Sequence, residues 1–273
     1  MKLFDLIVFT QYPNAYAPTR LLEEARNNDL RIKIYGYDKI QNINDLPLAK
    51  SVILREPNPK SELYKLRDKI LSFYTNSDSS VLNHKSYQKW PILDKITQHQ
   101  EFIKAGISNI PLLNPSEAKY PFIIKNKLGS HGDSVYKIHN DNDLKSVLLK
   151  HQEKDLVIQE FQTSGFDLRV IVLGNKILGI MKRTPKSGEF LSNYSQGGQV
   201  EEYKSINDEL RIKKIAIKTA KHFKLDYVGV DIMMGNDGQW KVLEVNRGCQ
   251  FKGFEFSTSI NVAHELISFM AKR

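Results

Sequence analysis

The chain has 273 residues, 41% of them hydrophobic and 26% charged, enough to bury about three quarters of the unfolded surface in one large or two to three small domains. Its formal net charge is +9, from 40 basic and 31 acidic residues, a balance that suits nucleic acid, anionic lipid, ATP or an acidic protein, or simply lysines spread over solvated faces. No compact Lys/Arg block or zinc-finger spacing points to nucleic acid, and no apolar run reaches the roughly 18 residues of a membrane-spanning helix.

The start, Met1-Lys2-Leu3-Phe4-Asp5, does not read as a signal peptide. A single cysteine, Cys249, excludes an internal disulfide, and a cytoplasmic location is expected. Residues 2–9 read as a buried strand. Tyr12 to Pro18 is turn-rich and leads into a helix with Leu21, Leu22 and Ala25 inward. Strands are expected at 31–35 and 51–54, then a helix carrying Leu63, Leu66 and Ile70. This β-α-β-α-β rhythm predicts a small parallel sheet with covering helices over 1–86.

A helix from Pro91 to about Ala105 follows, with Ile92, Ile96 and Phe102 inward. Strands at 121–126 and 134–138 enclose Lys127-Leu-Gly-Ser-His-Gly-Asp133, a loop whose glycines suit backbone contact with phosphates or simply serve a turn. Lys125, entering that loop, is placed to put a point charge on a phosphate. After a helix at 141–151 come strands at 156–161, 166–173 and 176–183, the last two joined by a tight turn at Gly174-Asn175. Asp167 and Arg169 share a face of their strand. Residues 186–199 read as a long polar loop, and 207–223 as a helix with Leu210, Ile215 and Ile217 inward. A last helix is expected at about 259–271.

The stretch Asp226 to Asn246 contains two β-branched runs around Asp237-Gly238, which predicts a hairpin with a two-residue type I′ turn. Asn236 then faces Gln239, Asp231 faces Glu244, and Gly229 faces Asn246. Alternation puts Asp231, Glu244 and Asn246 on one side of the ribbon. Opposed carboxylates among valines repel unless a cation lies between them, and hard oxygen ligands suit Mg²⁺ or Mn²⁺. Read alone, the hairpin equally fits an edge ribbon whose acids face water.

The ordered set Asp94-Lys95, Phe122-Ile-Ile-Lys125 with its glycine loop, Gln159-Glu-Phe161, Gly165-Phe-Asp167-Leu-Arg169, Arg183, Ser192-Asn193, Gly197-Gly198, Gly229-Val-Asp231 and Glu244-Val-Asn246 resembles the RimK-like ATP-grasp carboxylate–amine ligases. The resemblance covers essentially the whole chain. It implies an α/β fold, α+β in the ATP-grasp part, with three domains: N-terminal 1–86, central 87–158 bearing the glycine loop, and C-terminal 159–273 bearing the metal site. ATP would lie between the last two.

By the same resemblance Lys95, Lys125 and the loop residues Gly129, Ser130 and Gly132 would contact phosphates, and Gln159, Glu160 and Phe161 would form the adenine hinge. Ser192 and Asp167 would assist nucleotide binding. Arg183 and Asn193 would sit near the γ-phosphate, and Arg169 would fix the acceptor. Asp231, Glu244 and Asn246 would hold Mg²⁺ or Mn²⁺, two ions in all. Leu191, Gly197-Gly-Gln199 and Phe251-Lys252 are similar to the lysine-biosynthesis branch, whose members modify an acidic carrier protein.

The activity implied is ATP-dependent amide formation between an activated carboxylate and an amino acid, glutamate or a relative, on an acidic peptide or protein tail. A small-molecule acceptor and a non-catalytic nucleotide-binding regulator are the alternatives. A homo-oligomer is compatible with this reading, and no nucleic acid or membrane partner is expected. Cys249 is read as a pocket filler rather than a nucleophile.

Overall fold

A computed structural model describes residues 4–58, 61–129, 134–187, 189, 190, 192 and 197–273. The N-terminal strands β1 (Phe4–Thr10), β2 (Ile32–Gly36), β3 (Ala49–Leu54) and β4 (Ser80–Val81) form a parallel sheet of spatial order β2-β1-β3-β4. Helices α1 (Tyr16–Asn27) and α2 (Leu63–Asn76) connect these strands. α1 begins inside the stretch read as a turn, because Pro18 falls in its first turn, where the missing N–H costs nothing.

Helices α3 (His84–Lys89) and α4 (Lys95–Lys104) lead to a second, antiparallel sheet. Its strands are β5 (Leu112–Leu113), β6 (Phe122–Asn126), β7 (Val135–Ile138) and β8 (Leu156–Glu160), in the order β5-β8-β6-β7, with α5 (Asp141–Leu148) between β7 and β8. The third sheet contains β9 (Asp167–Leu173), β10 (Lys176–Thr184), β11 (Gln199–Glu202), β12 (Tyr227–Met234) and β13 (Trp240–Asn246), in the order β11-β10-β9-β12-β13. α6 (Glu209–His222) precedes β12, and α7 (Lys252–Thr258) and α8 (Val262–Ala271) end the chain.

The third sheet has two unlike faces. On one, Leu168, Val170, Val172, Val228, Val230 and Ile232 pack with Ile212, Ala216 and Ala220 of α6 and Phe102 of α4. On the other, Ile171, Leu173, Met181 and Tyr227 join one core with Leu6, Val8 and Ile53 of the first sheet and with α1, α7 and α8. Further along that second face, the same alternation presents Asp167, Arg169, Arg183 and Asp231.

In two helices the apolar residue expected inward at the start faces solvent, while Phe102 of α4 and Ile215 and Ile217 of α6 pack inward as expected. In α6 the buried positions are Ile212, Ala216, Thr219 and Ala220, while Leu210 is 78% exposed. A residue two positions before Ile212 lies about 200° round the helix from it. Ile96 is exposed for the same geometric reason, and Ile92 precedes the helix. The inner face of α4 is Gln98, Glu101 and Phe102. Its polar members are satisfied: Gln98 Oε1 accepts from Val245 N at 2.8 Å, and Glu101 meets His222 at 2.9 Å.

Asn83, buried and left-handed at φ 61°, stitches the first sheet's region to β12. Its Oδ1 accepts from the backbone N–H of Asp226 at 2.7 Å and of Tyr227 at 2.9 Å, and its Nδ2 donates to Tyr227 O at 2.8 Å. Asn83→Ala strands these groups, at about 1–3 kcal/mol for each buried one. Thermal denaturation should show a loss of about 3 kcal/mol, a Tm lower by about 6 °C or more. An unchanged Tm would contradict this role.

Candidate active site

β9, at the centre of the third sheet, sets the site through its two registers. It places Asp167 opposite Arg183 of β10 and Arg169 opposite Asp231 of β12. Arg169 grips Asp231 with both ends, Nε to Oδ1 at 2.8 Å and Nη2 to Oδ2 at 2.7 Å. Arg183 Nη2 lies 3.0 Å from the same Oδ2, and its Nε donates to Asp167 Oδ1 at 2.5 Å. Ser192 Oγ donates to Asp167 Oδ2. Asp167 and Arg169, expected only to share a face, therefore each pair across to a neighbouring strand.

Asp231 is 2% exposed. Burial alone would push its carboxyl up, but Arg169 and Arg183 outweigh that and hold it below the usual carboxylate value. Burial likewise opposes the charge on Arg169, yet Asp231 raises its pKa. The two acids expected to need a cation between them thus differ: guanidinium groups neutralise Asp231, while Glu244 is more open, its side chain 26% exposed.

Asp231 faces Glu244 and Gly229 faces Asn246, as expected, but the route differs. The turn is not a two-residue type I′. Gly238 N donates to Gly235 O at 2.9 Å, Gly235 N donates to Gln239 O at 2.8 Å, and Gly238 has φ 72°. This is a three-residue loop, Asn236-Asp-Gly238, with glycine in the left-handed position. The register it starts pairs Met234 with Trp240 and Ile232 with Val242. A bulge at Leu243 then advances β13 by one residue and swings Glu244 onto the face of Asp231. Asn246 Nδ2 bridges the acids, at 3.1 Å from Asp231 Oδ2 and 3.2 Å from Glu244 Oε1.

Lys95 opens α4 behind the N-cap Asp94, whose Oδ1 accepts from Thr97 N at 2.7 Å. One turn on, the Gln98–Val245 bond fastens α4 to β13, which leaves Lys95 Nζ 4.0 Å from Glu244 Oε2 and 2.9 Å from Gly129 O at the glycine loop. Lys125, on β6, donates to Gln159 Oε1 of β8 at 2.6 Å, and Gln159 Nε2 donates to Ile110 O at 3.2 Å. Burial lowers the Lys125 pKa from 10.5 to about 8, with Lys95 adding to the fall and Glu244 opposing it. Lys95, Lys125, Gln159, Val157, Ile110 and Leu243 line one narrow crevice between the second and third sheets.

Glu160 and Phe161 lie at the segment joining those sheets, with Lys137 Nζ 3.9 Å from the centre of the Phe161 ring. Asn236, expected to face Gln239 beside the turn, lies in the three-residue loop and ties this segment down. Its Nδ2 donates to Phe161 O at 2.9 Å, and its Oδ1 accepts from Thr163 N at 3.1 Å. Gln98 and Asn236 carried no signal beyond being amides next to a helix cap and a turn. Cys249 is buried against Gly229, where an added Cβ would come within 2.8 Å of Cys249 Cβ. Burial raises its thiol pKa, so it is a neutral filler as expected. Ser130, Gly132, Leu191 and Asn193 lie outside the described residues.

Among the described residues no three His, Cys, Asp or Glu side chains form a metal cage. The oxygens of Asp231, Glu244 and Asn246 are hard donors. They fit Mg²⁺, which is commonly held by one or two carboxylates together with substrate phosphates.

Residues 91–270 match the family model of the RimK-like ATP-grasp domain. A probable α-L-glutamate ligase 1 of Shewanella denitrificans is 29% identical over 299 aligned positions, covering 98% of this chain and 97% of the relative. A probable α-L-glutamate ligase 2 of Hahella chejuensis is 32% identical over 78% of this chain and 68% of its own. A probable α-L-glutamate ligase of Maridesulfovibrio salexigens is 35% identical, but the match spans 56% of this chain and half of that relative. Among solved structures, the ATP-grasp ligase PsnB with a minimal precursor superposes with TM-score 0.77 at 18% identity, covering 98% of this chain and 99% of its own. A RimK domain protein from Sphaerobacter thermophilus does so with TM-score 0.73 at 15% identity, covering 97% and 98%. The sheets, the order of the ionic residues and these matches agree: the chain belongs to the RimK-like ATP-grasp family.

Proposed function

We propose that the chain is an ATP-dependent, ADP-forming carboxylate–amine ligase that joins an amino acid, glutamate or a close relative, to the carboxylate of an acidic peptide or protein. The observation that carries this reading is the single row Arg183, Asp167, Arg169, Asp231, Glu244 and Asn246, facing two lysines across a crevice. The relatives named as glutamate ligases support the amino acid, and solved neighbours holding precursor peptides support a peptide acceptor. The basic balance of the chain favours an acidic one. The domain limits 1–86, 87–158 and 159–273 belong to the same proposal.

In the reaction an acceptor carboxylate oxygen attacks the γ-phosphorus of ATP, and the bond to the ADP oxygen breaks. The acyl phosphate formed is attacked at its carbonyl carbon by the amine, which loses a proton as phosphate departs. Such chemistry needs alignment and charge neutralisation rather than a protein nucleophile. Lys95 and Lys125 would neutralise phosphate oxygens, and Gly129, Ser130 and Gly132 would contact them as well. Gln159, Glu160 and Phe161 would seat the adenine. Arg183 and Asn193 would serve the transferred phosphoryl group, Ser192 and Asp167 the nucleotide, and Arg169 the acceptor carboxylate.

Asp167 and Asp231 fix those guanidiniums by their Nε and Nη2 atoms. Asp231, Glu244 and Asn246 are the residues that would hold Mg²⁺, one ion or two, and the metal would supply charge neutralisation at the phosphates.

Glu244→Gln removes an open carboxylate that no guanidinium depends on. Assays of ADP release and of product mass should show at least about 10²-fold lower turnover with an unchanged Tm. Wild-type turnover at saturating Mg²⁺ and ATP would remove the assignment. Asp231→Ala, by contrast, leaves the Arg169 guanidinium unpaired and takes from Arg183 one of its two carboxylates, and should lose about 3–5 kcal/mol of stability; a variant as stable as wild type in denaturant would contradict the pairing.

Lys125 binds phosphate only when protonated, and in the free chain it loses its proton as pH rises through about 8. Above that pH, nucleotide binding must take up a proton. The ATP KM should therefore rise with pH, by up to about tenfold per unit, and Lys125→Arg should flatten the profile. A flat wild-type profile between pH 7 and 9 would refute the role.

A further inference from the structure

A cavity of about 420 Å³ lies outside the crevice of Lys95 and Lys125. It lies at the other end of the third sheet, where α3, the Gly174-Asn175 turn, the end of α6 and Arg273 meet. β9 runs seven residues from Asp167 to Leu173, about 20 Å at strand spacing. α6, which forms one wall, packs on the face of the sheet opposite the ionic row.

The walls are basic. Lys85, Lys221, Lys224 and Arg273 line the cavity with a single acid, Asp226. That acid is already committed: Arg273 meets it at 2.9 and 3.1 Å, and Asn83 N donates to it at 3.3 Å. Among the described residues, Lys85, Lys221 and Lys224 have no carboxylate within ion-pair distance. Like charges gathered around a concavity focus their field into it, and the cavity is within the usual 300–1,000 Å³ range of ligand pockets.

We infer that this cavity docks an acidic peptide segment, a stretch of the acceptor remote from the carboxylate being modified. The inference rests on the ligase reading for the origin of that segment. Exposed lysine–carboxylate contacts are individually weak and salt-screened, so an occupant must present several carboxylates together. Captured there, a peptide of about ten residues or more reaches the crevice on the other face, and its modified end is held at raised local concentration. Short acceptors gain nothing from the cavity.

The test uses the full chain and a fluorescein-labelled ten-residue oligoglutamate, followed by fluorescence anisotropy. The triple variant Lys85→Glu, Lys221→Glu, Lys224→Glu changes only exposed side chains outside the proposed catalytic set. It should bind the probe at least tenfold more weakly than wild type, and wild-type binding should fall steeply on raising salt. Binding of a fluorescent ADP analogue should be the same in both proteins. Equal probe affinity in the two proteins, or no binding by wild type, overturns the inference. So does tighter binding of a single-stranded RNA of equal charge. The anisotropy is read without turnover, so failure of the ligase reading appears separately, as absent ADP release by wild type.

Discussion

A carboxylate withdrawn from water among valines is tolerable only if charge and hydrogen bonds replace its hydration. Asp231 meets that demand with a bidentate Arg169, a second guanidinium from Arg183, and the amide of Asn246. Each partner comes from a different position on the sheet: β9 for Arg169, β10 for Arg183, β13 for Asn246. The registers of three strand pairs must hold at once for the cluster to exist, because a slip of one residue would send each side chain to the opposite face. The ionic row is therefore both the site and the most exacting constraint on the third sheet.

The same face of that sheet explains how the chain combines rigidity with chemistry. Its apolar half, from Ile171 and Leu173 to Tyr227, is buried in a core shared with the first sheet and α8. Its polar half continues along the same strands into the crevice. The ionic side chains thus extend from strands whose far ends are fixed in a packed interior, which suits groups that must keep their geometry. The edge strand β13 is secured in turn by Gln98, by Val242 N donating to Ser108 O at 2.8 Å, and by Ile110 N donating to Val242 O at 3.1 Å. An edge that would otherwise offer unpaired groups becomes the mount for Glu244 and Asn246.

Much of this was legible beforehand, for physical reasons that can be named. Alternation of β-branched residues marked the strands, and the ribbon's two acids stood out against their valines, whereas α4, expected from Pro91, begins at Lys95 behind its cap Asp94. The Asp231–Glu244 pairing was reached from a two-residue turn that does not exist; the extra turn residue is offset by the bulge at Leu243. Bulges carry no composition signal in a single sequence, and neither does the short β5. β11 was hidden in a polar stretch because its residues face outward, with Gln199, Glu201 and Glu202 exposed. The side chains that hold the parts together were the least visible. Asn83 bonds Tyr227 across 144 positions, and Gln98 bonds Val245 across 147. Local pattern says nothing about partners so distant. At the starts of α4 and α6 an apolar residue, Ile96 or Leu210, faces solvent because of its angle round the axis, whereas Phe102, Ile215 and Ile217 lie inward as their spacing implies.

The central claim is that the open acid and the amide at the end of β13 hold a divalent cation together with the nucleotide's phosphates. Calorimetric titration of a non-hydrolysable ATP analogue, with Mg²⁺ and then with EDTA, tests it most directly. The account predicts that Mg²⁺ tightens nucleotide binding at least about tenfold, or about 1.4 kcal/mol, and that Asn246→Ala loses most of this gain. Binding of equal strength with and without the metal would contradict it.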